Sequence, residues 1–362
     1  MRVIQLLPEL NEGGVERGVL ELNREFSKNS INSIVISNGG KLVDEIIKNG
    51  GEHIKLDIAS KNIFTAPYRI YKLKKLLKEL KPDILHFRSR VPAWLLFFAN
   101  KKLKIKTVST VHGFNSVSLY SKIMTNADRI ICVSGSIKEY IQKNYNTEDK
   151  KISIIPRGVD FTKFNQENLD REFIKEFKEK HNLNNYFIAS VVGRITQLKD
   201  IETFIKAIAL VKERIKIKAL IVGSVRADKE RYFKKLTDLV KNLKLENDII
   251  FTGSQRKIAE IYSLSDVIIS CSKKPESFGR SIAEALALNT PAIATNHGGV
   301  KDIIIDGENG FLFTPSNELE LVKYILEISK LNKNLKPHIE KNFSLDKMVR
   351  DNINLYKGLL NC

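Results

Sequence analysis

Cysteine is scarce in this 362-residue chain, three in all, and Cys132, Cys271 and Cys362 form no C-x-x-C pair. That excludes a disulfide framework and a cysteine-built zinc site, and it fits a reduced, cytoplasmic protein. Long apolar runs are lacking too: the uncharged stretch 91–99 falls far short of the about 20 residues a spanning helix needs. No charged start, apolar core and cleavage site open the chain, because Met1-Arg2-Val3-Ile4 enters a strand directly, which argues against secretion. G-x-G-x-x-G is absent after the first strand, which excludes the dinucleotide fingerprint. Neither D-x-D nor a cluster of His and carboxylates marks a metal site, so no metal or other cofactor is expected.

Acid is in deficit. The net charge is +18, of which residues 1–165 carry +12 and residues 166–362 carry +6. The densest run, 68–81, spaces Ile70, Leu73, Leu76, Leu77 and Leu80 as one apolar helix face and places six cations elsewhere. Such a face is ordinarily a solvated one; it could also meet anionic lipid, each cation contributing about 1 kcal/mol near the surface. No nucleic-acid-binding motif, zinc spacing or aromatic–basic interleaving accompanies the basic balance, and no nucleic-acid partner is expected.

Short apolar runs alternate with helical periodicity throughout. Candidate strands are 2–7, 33–37, 84–87, 107–111 and 129–133, then 187–192, 219–222, 249–252, 267–272 and 292–295. This alternation predicts two α/β domains, each a doubly wound parallel sheet, with ligands outside the carboxyl ends of the strands. At those ends stand Gly13 and Gly14, Arg88, His112-Gly113, Ser134, and Gly193-Arg194 with Lys199 five residues on. Two glycines before a helix let a ligand reach its free N–H groups. Arg194 and Lys199 would make a diphosphate grip, one a fork and the other a compact charge.

The most informative stretch is 275–302, PESFGRSIAEALALNTPAIATNHGGVKD. Glu276 precedes a helix expected over 278–288, and Glu284 lies within it among Ile282, Ala283, Ala285, Leu286 and Ala287. A carboxylate buried there needs a cation or hydroxyl donors, which a ligand could supply. Backbone N–H groups near Phe278 and Gly279 would form an oxygen site. A second strand, 292–295, then His297-Gly298-Gly299 and a helix from about Val300 repeat the arrangement.

E-x7-E followed by Gly-Gly, with PES-FG before it, resembles the C-terminal domain of the retaining nucleotide-sugar glycosyltransferases of family 4. ELNEGGVERG resembles the family's GG-x-E loop, TVHG its histidine segment, IPRGVD its P-N-G-V-D segment, and Gly193-Arg194 with Lys199 its G-R-x4-K motif. Within that family the likeness is to bacterial lipopolysaccharide and cell-surface polysaccharide enzymes. The resemblance implies the GT-B fold: a Rossmann-like acceptor-side domain over 1–165, onto which the helix 344–362 packs back, facing a Rossmann-like donor-side domain over 166–343 across a cleft.

It further implies a metal-independent glycosyltransferase acting with retention, with Glu276 and His112 as catalytic residues. Gly13, Gly14, Arg194, Lys199, Ser277, Phe278, Gly279, Glu284, Gly298 and Gly299 would bind the donor, Glu284 by its ribose. The donor would be a UDP-sugar or a GDP-sugar, the acceptor a lipid-linked or lipopolysaccharide-type glycan, and the place of work the cytoplasmic face of an anionic membrane. Three positions depart from the family pattern: Arg157 stands for Asn, Asp200 for Gly, and Asp302 for Glu. A nucleotide-sugar-binding protein without chemistry, and an enzyme making a soluble glycoside, are the competing readings. A glycoside hydrolase, which needs two carboxyls flanking one bond, fits a helix-buried Glu284 poorly.

Overall fold

The protein, described here by a computed structural model, is defined over residues 1–11, 13–331 and 334–361, so Cys362 lies outside the described residues. It divides into two compact units, one of Met1–Gly158 with Leu345–Cys362 and one of Val159–Ser344.

The first unit holds a seven-stranded sheet made from β1 (Arg2–Leu6), β2 (Asn32–Ser37), β3 (Glu52–Lys55), β4 (Ile84–Phe87), β5 (Lys106–Val111), β6 (Arg129–Cys132) and β7 (Ile152–Ile154). They lie in the order β3-β2-β1-β4-β5-β6-β7, and every pairing is parallel. The central strands read as near-continuous apolar runs because helices cover both faces. Among those helices, α1 (Gly14–Lys28) buries Val19, Leu22 and Phe26 at helical spacing. α2 (Ala66–Leu80) buries Leu73 and Leu77 and packs beside α3 (Arg90–Asn100). The helix Leu345–Leu360 buries Tyr356 in this unit, its ring edge-on to Phe26 at 5.8 Å.

The second unit holds β8 (Phe187–Val192), β9 (Ile217–Val222), β10 (Ile249–Gly253), β11 (Val267–Ser270), β12 (Ala292–Thr295) and β13 (Gly310–Phe313). Their order is β10-β9-β8-β11-β12-β13, again wholly parallel. Both units are thus doubly wound, and the architecture is GT-B.

The segment after Asp302 ends in β13, which pairs parallel with β12 from Ala292↔Gly310 to Thr295↔Phe313. Gly310 is what permits that approach, since a Cβ there would stand 2.2 Å from the Ala292 carbonyl oxygen. The helix expected from Phe278, α4, spans Arg280–Ala287, because Gly279 sits at φ +108°, outside the helical region. The helix expected from Val300 is one 3-10 turn, Gly299–Asp302. Residues 159–165 group with the second unit, where Val159 bridges Ser344 and Phe164 packs on Tyr262 at 6.1 Å. Cys132 and Cys271 are free and buried in the cores, and burial pushes the Cys132 thiol up to about 12.

Candidate active site

In the second unit, residues 270–279 form a loop whose hydroxyls and backbone converge on Glu276. Ser272 Oγ at 2.5 Å, Lys199 Nζ at 2.7 Å and Ser270 Oγ at 2.9 Å all donate to its Oε1. Burial alone would raise this carboxyl. The Lys199 ammonium and the two serine hydroxyls outweigh that and hold it below the ordinary glutamate value. Lys199, legible as a phosphate grip, is here the partner of Glu276, while Arg194 is exposed beside it in sequence.

The glycines of this region serve close packing. Glu276 and Gly298 form a parallel bridge, and the Gly299 N–H donates to the Glu276 carbonyl at 2.7 Å. A Cβ on Gly298, itself at φ +72°, would lie 2.4 Å from that carbonyl oxygen; one on Gly299 would lie 2.5 Å from that of Ser277. A Cβ on Gly279 would meet Val300 at 2.5 Å. Phe278 turns its ring into the core against Phe343, so any donor contact it makes is through its backbone. Ser277, next to Glu276, is half-buried.

Glu284 is 8% exposed, and its charge is matched from within the protein. Arg280 Nε donates to Oε1 at 2.7 Å and the Tyr262 hydroxyl to Oε2 at 3.0 Å. The cation and the hydroxyl donor that the sequence calls for are therefore both supplied from within the protein. Asp200 is the substitution whose effect is clearest. It occupies φ +47°, the left-handed conformation that the family's glycine takes easily and that Asp tolerates best among charged residues. Its buried carboxylate is held by Thr203 Oγ1 and Ser316 Oγ, both at 2.8 Å, and by Lys273 Nζ at 3.0 Å.

In the first unit, Gly13 is extended at the amino end of α1, and a Cβ there would meet Glu16 Oε2 at 2.2 Å, whereas a Cβ on Gly14 would meet none of the described residues within 4 Å. Arg157 joins two of the predicted site residues: its Nη1 donates to the Gly14 carbonyl and its Nη2 to His112 Nδ1 at 3.1 Å. His112 Nε2 is buried and has no partner among the described residues. Burial, then the charges of Arg157, Arg88 and His86, hold this imidazole far below the usual histidine range. Beneath it, Arg88 donates to Gln5 Oε1 at 2.6 Å, and His86 meets Tyr356 Oη and Thr110 Oγ1, each at 2.6 Å. Burial lowers Arg88 to about 10. Ser134 caps the helix that follows it, accepting from the Ile137 N–H.

Two profiles cover most of the chain: "Glycosyltransferase Family 4" over residues 12–163 and "Glycosyl transferases group 1" over residues 173–343. The crystal structure of a glycosyltransferase from Rickettsia africae superposes with a TM-score of 0.90 at 32% identity, covering 99% of this chain and 98% of that one. The chain belongs to glycosyltransferase family 4. This family 4 enzyme is thus a GT-B glycosyltransferase. Anabaena HepE in complex with UDP-glucose shares the fold at 18% identity, with a TM-score of 0.85 over 99% of this chain and 100% of that one. The alpha-monoglucosyldiacylglycerol synthase of Streptococcus pneumoniae is 26% identical over 78% of this chain and 70% of its own length.

Sequence reasoning missed Tyr262, Ser270 and Ser272. The serines had a signal, since S-C-S leaving a strand puts both hydroxyls on one face, near the glutamate that follows. Tyr262, 22 residues before Glu284, had none. Among the described residues no three His, Cys, Asp or Glu side chains are grouped to hold a metal, and no helix is long and apolar enough to cross a membrane.

Proposed function

We propose that this enzyme transfers a sugar, with retention, from a UDP-sugar to a lipid-linked or lipopolysaccharide-type glycan acceptor at the cytoplasmic face of an anionic membrane. The observation that carries the chemistry is Glu276 held ionised by Lys199 and two serines. A carboxylate kept charged stabilises positive charge developing at an anomeric carbon and is unsuited to protonate a leaving group. The diphosphate must then leave with its charge balanced by Arg194, Lys199 and backbone N–H groups, without a metal, and take the acceptor's proton as it goes. Glu284 serves the ribose through lone pairs not used by Arg280 and Tyr262. Ser277, Phe278, Gly279, Gly298 and Gly299 offer backbone to the donor. Gly13, Gly14 and His112 act from the first unit.

UDP is supported by HepE, whose structure was solved with UDP-glucose. A lipid acceptor is supported by the Streptococcus relative, named for a glucosyldiacylglycerol product. It is supported also by the surface of α2 and α3. Lys72, Lys75 and Lys78 are exposed there, with Lys74 half-buried, and Phe64 just before α2 is 89% exposed. A groove of about 440 Å³ lined by Ile63, Ile70, Val91, Trp94 and Phe98 lies between the two helices. Incubating the enzyme with labelled UDP-sugars and a bacterial lipid extract tests the proposal. Label moving into the organic phase with release of UDP is expected; label confined to water-soluble products would overturn the acceptor assignment.

A further inference from the structure

We propose that Arg157 is a positioning residue that fixes His112 as a hydrogen-bond donor through Nε2 and ties it to the amino end of α1. The inference rests on the reading that His112 faces the substrate. A guanidinium carries five N–H donors and no acceptor, so the contact between Arg157 Nη2 and His112 Nδ1, at 3.1 Å, makes Nδ1 the acceptor. A neutral imidazole accepting there carries its proton on Nε2. That atom is buried without a partner among the described residues, and a buried donor demands an oxygen. The oxygen would be a hydroxyl or phosphate oxygen of the ligand.

The family's asparagine could not impose this. A carboxamide offers Nδ1 either its NH2 or, flipped, its oxygen, and so tolerates both tautomers; a guanidinium tolerates one. Among the described residues, the other charged or titratable groups that bias the ring, Arg88 and His86, contribute no negative charge, so protonating His112 would set a further cation among them. The same Arg157 also holds the Gly14 carbonyl, and the sequence leaves it room: a Cβ on Gly18 would lie 2.7 Å from Nη1. Two parts of the first unit that touch the proposed donor, the α1 terminus and the imidazole, therefore move as one.

The test is a long-range proton–nitrogen correlation spectrum of the 15N-labelled full chain, with His112 assigned among the six histidines by H112Q. The wild type should show a neutral Nε2–H ring that does not titrate between about pH 5 and pH 8. Arg157→Gln should give mixed tautomers and lower kcat/KM by about tenfold, the worth of one charge-assisted hydrogen bond. Arg157→Lys, whose ammonium also only donates, should restore the Nε2–H ring. A wild-type ring protonated at Nδ1 or titrating near its ordinary value overturns the proposal, as does an unchanged ring in a folded Arg157→Gln. Addition of UDP-glucose separates this from the reading beneath it: a His112 signal indifferent to the ligand removes His112 from the donor site while the tautomer result stands.

Discussion

Lys199 Nζ lies 2.7 Å from Glu276 Oε1, although 77 residues separate the two in sequence. Each belongs to a motif that reads separately, the basic one as a phosphate grip and the acidic one as a sugar contact. Their pairing means that the cation sets the ionisation of the carboxylate. Altering Lys199 therefore changes Glu276.

Replacing Lys199 with Met tests that coupling. Without the ammonium, burial dominates and the Glu276 pKa rises, so the acid limb of the pH–rate profile should move to higher pH. The sign for stability follows. A depressed folded-state pKa stabilises above the unfolded glutamate value and is lost as pH falls through the folded one. Lys199→Met should therefore cost about 2 kcal/mol at neutral pH, and less in acid, by urea melts.

Glu276→Gln should abolish transfer, by about 100-fold or more in kcat, while leaving UDP affinity within about threefold. Initial rates and calorimetry check this. Unchanged turnover would remove Glu276 from the reaction.

Arg194→Ala should weaken UDP binding about tenfold and uridine binding hardly at all, because a charge-assisted contact to a phosphate contributes about 1.5 to 3 kcal/mol. Equal losses would count against the diphosphate role. By the same assignment, activity should survive saturating EDTA; rescue by Mg2+ after collapse would contradict it.

Asp200→Gly should lower stability, by about 2 kcal/mol in thermal melts. Glycine relieves a left-handed strain of about 1 kcal/mol, but Lys273, Thr203 and Ser316 lose a buried acceptor that contributes more. A rise in Tm would show that strain dominates.

Replacing Lys72, Lys74, Lys75 and Lys78 with Gln should release the enzyme from anionic vesicles at low salt without unfolding it, since exposed charges are screened over about 8 Å at physiological ionic strength. Phe64→Ser should weaken the same binding at any salt. Equal sedimentation of wild type and variants with vesicles would leave a soluble acceptor as the better reading.

The sheets were legible where a strand is buried on both faces, as in Val267–Ser270, and illegible where it is short and at an edge. β3 and β7 carry only EHIK and ISI, half-exposed, too brief for either periodicity. At the site, glycines and glutamates announced themselves by spacing, yet the reason for Gly298 and Gly299 is protein backbone at under 3 Å, which spacing cannot show. The least legible element was Arg157. Its type departs from the pattern, and only the fold reveals that it reaches 45 residues back to His112 and 143 back to Gly14.

The buried chain from Arg88 through His86 closes on Tyr356, which the polypeptide supplies only after the whole of 159–344. During synthesis, then, the unit that starts first is completed last. Until residues 345–360 emerge, His86 and Phe26 lack the Tyr356 ring that packs on them, while the second unit already has every strand of its sheet. A ribosome stalled before that point would display a finished second unit and an unfinished first one. That makes the first unit the stage at which chaperones have most to do.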